Sequence, residues 1–179
     1  MNLYTRALQF AAEAHDTQLQ KYTGRPYILH PIEVAEIVRR ADGTPSMVAA
    51  ALLHDVVEDT AVTIEMIRLA FGPDIADMVG WLTDEPTVEG GPNRAARKKA
   101  SRDRLAGAPA RVQTIKLADL IHNTASIVEH DRKFAATYLP EMELLLCVLE
   151  RGNLDLFNEA STKIRWALAD LHAKPSCYE

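Results

Sequence analysis

Apolar residues recur at helical spacing along almost the whole chain. Leu3, Ala7, Phe10, Ala11 and Ala14 make one stripe, and Met142, Leu145, Leu146 and Leu149 make a second. Leu154, Phe157, Ile164, Leu168 and Leu171 trace a third along the C-terminal segment. Recurrence at i, i+3 and i+4 puts the apolar side chains of a segment on one face of a helix. Alternating strand patterns bounded by turn residues do not occur, so the pattern predicts an all-α fold, a compact multi-helix bundle.

Turn and capping residues divide the helices. Lys21-Tyr22-Thr23-Gly24-Arg25-Pro26 reads as a loop, and Pro31 as the first residue of a helix through Ile32, Val34, Ile37 and Val38. Asp42-Gly43-Thr44-Pro45 closes that helix and opens the next, with Thr44 as N-cap and Pro45 at the first helical position. Thr63 caps a short helix that stops at Gly72-Pro73. Residues 83–93 read as a long, mobile loop, and 107–109 break the chain before a long helix through Ile115, Ala118, Ile121 and Val128. The expected organisation is one domain over residues 1–174, followed by a short frayed tail at 175–179.

Composition narrows the classes of function. The 179 residues are 47% hydrophobic and 25% charged, ordinary for a globular chain with a real core. A formal net charge of −5 argues against a broad nucleic-acid-binding surface, while leaving room for a local basic pocket. Cys147 and Cys177 lie far apart and make neither a disulfide framework nor a zinc ribbon. Arg6, Glu13 and Asp16 interrupt the N-terminal segment, which therefore reads as neither signal peptide nor membrane span. The expectation is a cytoplasmic protein without membrane or nucleic-acid partners; self-association stays open.

Residues 47–53 are apolar throughout, so their helix is expected to be buried on all sides. His54, Asp55, Glu58 and Asp59 follow at once, with Val56 and Val57 between the two polar pairs. On one helix His54 and Glu58 share a face, and so do Asp55 and Asp59. Four ionisable groups interleaved with valines need a cation or strong hydrogen bonds to offset burial. Two further candidates are His30 at a helix entrance and Asp119, which borders an apolar stripe where a salt bridge to Lys or Arg is the ordinary explanation. His15 and Asp16 read as exposed or capping groups at the end of the first helix, Cys147 as a buried small hydrophobe, and Trp81 and Trp166 as core or interface anchors.

His30, the His54-Asp55 pair and Asp119 resemble the H…HD…D pattern of HD-domain metal-dependent phosphohydrolases. More narrowly, Pro26-Tyr27-Ile28-Leu29-His30-Pro31, Leu52-Leu53-His54-Asp55-Val56-Val57-Glu58-Asp59-Thr60 and Lys116-Leu117-Ala118-Asp119 resemble the hydrolase domain of RelA/SpoT homologues and the stand-alone small alarmone hydrolases. The resemblance implies a 3′-pyrophosphohydrolase acting on the small-molecule nucleotides ppGpp and pppGpp. It implies one divalent ion, usually Mn²⁺, held by His30, His54, Asp55 and Asp119, with Glu58 and Asp59 acting on the attacking water. Two imidazoles and two carboxylates without a thiolate agree with Mn²⁺.

Lys21 and Asn123 match family positions and are candidates for substrate contacts; Tyr27, three residues before His30, is a candidate for the base or sugar pocket or for packing, and Arg94, Arg97 and Lys98 for a basic, mobile loop that clamps pyrophosphate. Two departures bear on selectivity. Gln20 stands where the family commonly has Arg, and KLADLIHNT replaces KLADKLYNL, so ppApp and pppApp join the candidate substrates. The alternatives are another HD phosphohydrolase, such as a 5′-nucleotidase, and a catalytically silent nucleotide-binding module.

Overall fold

A computed structural model describes residues 1–84 and 91–173. Among the described residues ten helical segments follow one another: α1 (Leu3–Ala14), α2 (Leu29–Arg40), α3 (Pro45–Leu52), α4 (Val56–Asp59) and α5 (Ile64–Phe71). The second half holds α6 (Pro73–Leu82), α7 (Arg94–Ala106), α8 (Ala110–His130), α9 (Arg132–Leu146) and α10 (Leu154–Ala173). Among the described residues the only β pairing is an isolated antiparallel bridge between Leu19 and Pro26. The all-α expectation holds. The tail at 175–179 and the middle of the expected loop, 85–90, lie outside the described residues.

Helix α3 is the centre of the bundle. Residues 48–53 are all buried, and the three consecutive alanines let α1, α2, α6 and α8 approach closely. Its start is as expected: the Thr44 side chain accepts from Met47 N at 3.3 Å, with Pro45 in the first turn. Thr63 caps α5 in the same way. Gly43 makes the close turn before α3 feasible, because a Cβ there would lie 2.4 Å from Val38 Cγ1.

Four local expectations are corrected. Helix α2 begins at Leu29, two residues before Pro31, because His30 N already bonds Tyr27 O at 2.9 Å. Pro31 is tolerated there, since the first turn has no intrahelical acceptor for an N–H. The buried helix does not run on through Asp59: α3 stops at Leu52, residues 53–55 form a turn, and α4 starts at Val56. The basic residues after 93 are not a loop but helix α7, which Asn93 caps by accepting from Ala96 N.

The last correction concerns burial. Leu154 and Trp166 are exposed, and α10 instead buries Leu156, Ala160, Ile164 and Ala167, with Phe157, Leu168 and Leu171 packed partly against the core. Cys147 is exposed at the end of α9. His15 is buried at the C-cap of α1, its ring 4.8 Å from that of Tyr27 and its Nδ1 2.7 Å from Gln18 Oε1.

A candidate metal centre and active site

Three elements bring four side chains to one point. His30 comes from the first turn of α2, His54 and Asp55 from the turn between α3 and α4, and Asp119 from the middle of α8. His30 Nε2 lies 3.3 Å from His54 Nε2, 3.3 Å from Asp55 Oδ2 and 3.3 Å from Asp119 Oδ1. His54 Nε2 lies 3.1 Å from Asp55 Oδ2 and 3.7 Å from Asp119 Oδ1. Donor atoms about 2.1 Å from one ion and at right angles stand about 3.0 Å apart, and tetrahedral ones about 3.4 Å apart. The spacings here are of that size. The ligand atoms of His30, His54 and Asp55 all lie within 4.8 Å of one another.

The hydrogen bonds behind these atoms orient them. His54 Nδ1 donates to Ala51 O at 2.7 Å, a contact the turn at 53–55 permits, and this leaves the Nε2 lone pair for a cation. Asp119 is bonded on both oxygens: Lys116 Nζ donates to Oδ2 at 2.8 Å and Asn123 Nδ2 to Oδ1 at 2.6 Å. The ordinary salt-bridge explanation for Asp119 therefore holds together with its place in the cluster. Tyr27 donates its hydroxyl to Asp55 Oδ2 at 2.6 Å.

The ionisation of these groups follows from the packing. Burial opposes charge on Asp55 and Asp119. It is outweighed for Asp55 by His54 and His30, and for Asp119 by Lys116 and both histidines, so both carboxyls fall well below the usual range. Burial likewise opposes charge on His54 and His30, but the same carboxylates raise both imidazoles. Two imidazoles and two carboxylates held so tightly in the interior are costly to bury unless they compensate one another or a cation, which marks the cluster as a functional-site candidate.

Glu58 and Asp59 stand at the mouth with carboxyls open to solvent but flanked by protein, and both pKa values are raised, chiefly by burial. Glu58 Oε2 accepts from Asp84 N at 3.0 Å. Asp84 in turn holds Arg104 at 2.6 Å and lies 3.6 Å from Lys98.

Two cavities flank the cluster. The outer one, about 370 Å³, is lined by Gln20, Lys21, Tyr27, His30, Asn123 and Phe134 among others. That volume is within the range of small-molecule sites. The inner one, about 110 Å³, is lined by Lys98, Lys116, Arg102, Asp119 and Asn123 among others, and has room for a phosphoryl group rather than a nucleoside. Lys21, Tyr27 and Asn123 line the outer cavity, and Lys98 and Asn123 the inner one. Arg94 lines neither: it is engaged in a bidentate pair with Glu141 at 2.7 and 2.8 Å. Arg97 donates to Pro92 O and lines neither cavity.

Three residues escaped sequence reasoning in this role. Lys116 signals itself only by standing one turn before Asp119. His122 Nδ1 lies 2.8 Å from His30 Nδ1, and His122 Nε2 lies 2.5 Å from Glu33 Oε2. The available signals were that His122 follows Asp119 by three residues and Glu33 follows His30 by three.

The bundle, with its H…HD…D cluster at the meeting of α2, the α3–α4 turn and α8, defines the class. The chain belongs to the HD-domain family, whose sequence model matches residues 7–140. Within it, the chain is similar to the guanosine-3′,5′-bis(diphosphate) 3′-pyrophosphohydrolase MESH1 of Xenopus tropicalis, 37% identical over 68% of this chain and 67% of that one. It is 38% identical, over 96% of its length, to a probable guanosine-3′,5′-bis(diphosphate) 3′-pyrophosphohydrolase of Synechocystis, of which it spans only 22%. Among solved structures it is similar to a metazoan ortholog of SpoT that hydrolyzes ppGpp and plays a role in starvation responses. That match has a TM-score of 0.84 and 27% identity, over 93% of this chain and 96% of the other.

Proposed function

We propose that the chain is a divalent-metal-dependent 3′-pyrophosphohydrolase of guanosine alarmones, acting on ppGpp and pppGpp. The observation that carries this reading is the convergence of His30 Nε2, His54 Nε2, Asp55 Oδ2 and Asp119 Oδ1 at 3.1–3.7 Å, with two carboxyls of raised pKa in front of them. The activity of the similar proteins supports the substrate class. The four residues are the proposed ligands. Their hard, thiolate-free donor set favours Mn²⁺.

The reaction adds water to the phosphorus on the 3′ oxygen, breaks the P–O3′ bond, protonates the 3′ oxygen and releases pyrophosphate with GDP or GTP. Bound at the cluster, a divalent ion lowers the pKa of water and offsets charge on phosphoryl oxygens. Glu58 accepts the proton of the attacking water; its raised pKa suits a general base. Asp59, within reach of the Asp55 charge, orients that water. Lys98 and Lys116 face the inner cavity and offset substrate charge, while Lys21, Tyr27 and Asn123 form one side of the nucleoside cavity. Arg94 and Arg97 are left out of the substrate contacts, because neither lines a cavity.

Adenosine 3′-pyrophosphates are a second substrate class, favoured by Gln20 in the wall of the outer cavity, where its Oε1 is held by the Thr23 hydroxyl at 2.6 Å. Phosphorus NMR of products from ppGpp and ppApp, with Mn²⁺ and with chelator, tests both readings. Chelator-sensitive release of pyrophosphate is expected from ppGpp, and the ratio of rates reports what Gln20 does to base selectivity. Release of orthophosphate from nucleoside monophosphates in place of this reaction would move the chain to the nucleotidases. Metal binding without turnover of any of these would make it a sensor.

A further inference from the structure

We infer that His122 is a positioning residue for His30, anchored in turn by Glu33, so that Glu33, His122 and His30 form one hydrogen-bonded chain from the surface to the metal cluster. The inference rests on the metal reading of the cluster given above.

The proton positions follow from the geometry. His30 turns Nε2 toward His54, Asp55 and Asp119, so a cation there needs that nitrogen unprotonated, and the ring N–H falls on Nδ1. The atom facing Nδ1 is His122 Nδ1 at 2.8 Å, which must then accept. With Nδ1 an acceptor, neutral His122 carries its proton on Nε2 and donates it to Glu33 Oε2, 2.5 Å away. Every atom of the chain has one role, and no second tautomer satisfies all three contacts. Both nitrogens of His122 are engaged, so it is not itself a fifth ligand.

His54 and His30 are thus oriented by different means. His54 is fixed by a backbone carbonyl of its own turn, Ala51 O. His30 sits in the first turn of α2, and its Nδ1 points across to α8, where the acceptor is a side chain supplied by another helix. The ring centroids of His30 and His122 are 4.7 Å apart and tilted by 47°, so the partner constrains ring rotation by packing as well as by hydrogen bonding. Glu33 lies one turn beyond His30 on α2. Its half-exposed carboxylate fixes the orientation of the His122 ring, whose side chain is only 18% exposed.

Partners behind a metal-ligating histidine typically change metal affinity by about 10–100-fold. The test is a Mn²⁺ titration of the chelator-stripped chain, with free Mn²⁺ read by its electron paramagnetic resonance signal. His122→Phe keeps the ring packing but removes the acceptor, and is expected to weaken binding by about 10–100-fold. His122→Asn, whose Oδ1 takes the place of Nδ1, is expected to recover most of that loss. A merely structural role for His122 predicts no such difference. Glu33→Ala, at a half-exposed position, removes the anchor while sparing the core, and is expected to give a smaller loss in the same direction.

Unchanged affinity in His122→Phe and Glu33→Ala, or equal losses in His122→Phe and His122→Asn, would overturn the inference while leaving the metal site standing. No Mn²⁺ binding by the unaltered chain would overturn both, so the two failures are distinguishable.

Discussion

Glu58 and Asp55 are both acidic and three residues apart, yet the structure separates them into different roles. Asp55 turns Oδ2 into the histidine pair and is held ionised there, whereas Glu58 faces the mouth and burial raises its pKa. Glu58→Gln removes a proton acceptor while keeping size and the bond to Asp84 N. Mn²⁺ affinity is expected to stay within about twofold, and turnover to fall by about 10²–10⁴-fold, the usual size of a lost general base. Titration of metal and steady-state rates on the same preparation check this, and full activity would reassign the water-activating group. The residue types here were legible in the sequence, because charged side chains among valines demand a partner. The pairs behind them, Lys116 with Asp119 and Glu33 with His122, were not. Surface-type residues at helical spacing reveal nothing until it is known which helix faces them.

At the scale of elements, the decisive feature is the break at 53–55. A continuous helix was the natural reading of an apolar run entering a polar one. Leu53 N instead reaches both Ala49 O and Ala50 O at 3.2 Å, the last turn tightens, and the backbone bends. The bend brings His54 Nδ1 to Ala51 O and turns His54 and Asp55 toward the same point, where an unbroken helix would have pointed these neighbours about 100° apart.

Another element junction depends on one buried residue. Gln113, fully buried on α8, donates to Leu105 O and Val148 O and accepts from Arg151 N, joining the end of α7 and the turn after α9 to α8. Gly152 lies in the same crossing, where a Cβ would come within 2.6 Å of Leu117 Cδ1. Gln113→Leu leaves one buried and two part-buried backbone groups without this partner and is expected to lower stability by about 1–3 kcal/mol. Denaturant unfolding measures this. A change below about 0.5 kcal/mol would show that water or neighbouring groups take over the bonds.

At the scale of the molecule, stability and site share one electrostatic bridge. Asp84 closes the end of α6, bonds Arg104 of α7 and gives its N–H to Glu58. Burial opposes its charge, but the Ser101 hydroxyl and the Lys116, Lys98 and Arg104 cations outweigh burial and hold its pKa below the usual value. A carboxylate with a depressed folded pKa stabilises fully above its unfolded pKa of about 3.9 and loses that contribution as pH falls through the folded value. Asp84→Asn is therefore expected to melt lower at neutral pH, by about 1.5–3 kcal/mol. The gap from the unaltered chain should close on acidification below about pH 4. Thermal melts of both proteins across pH check this, and a constant gap would mean that shape rather than charge holds the junction. No described helix is long and apolar enough to cross a membrane.

Periodicity and capping chemistry in the chain itself determined the helical class and the starts of α3 and α5, because each rests on contacts within a few positions, whereas the four clustered residues stood out as a set only by their resemblance to the H…HD…D pattern. Only the tertiary structure decided which atoms of those residues meet. His30 and His122 are 92 positions apart and touch because α2 packs on α8. Packing of α7 against α6 and α9 likewise engages Arg94 and Arg104 where a free basic loop was expected. Local sequence fixes which hydrogen bonds a residue is able to make; which of them form depends on what the packed core places opposite.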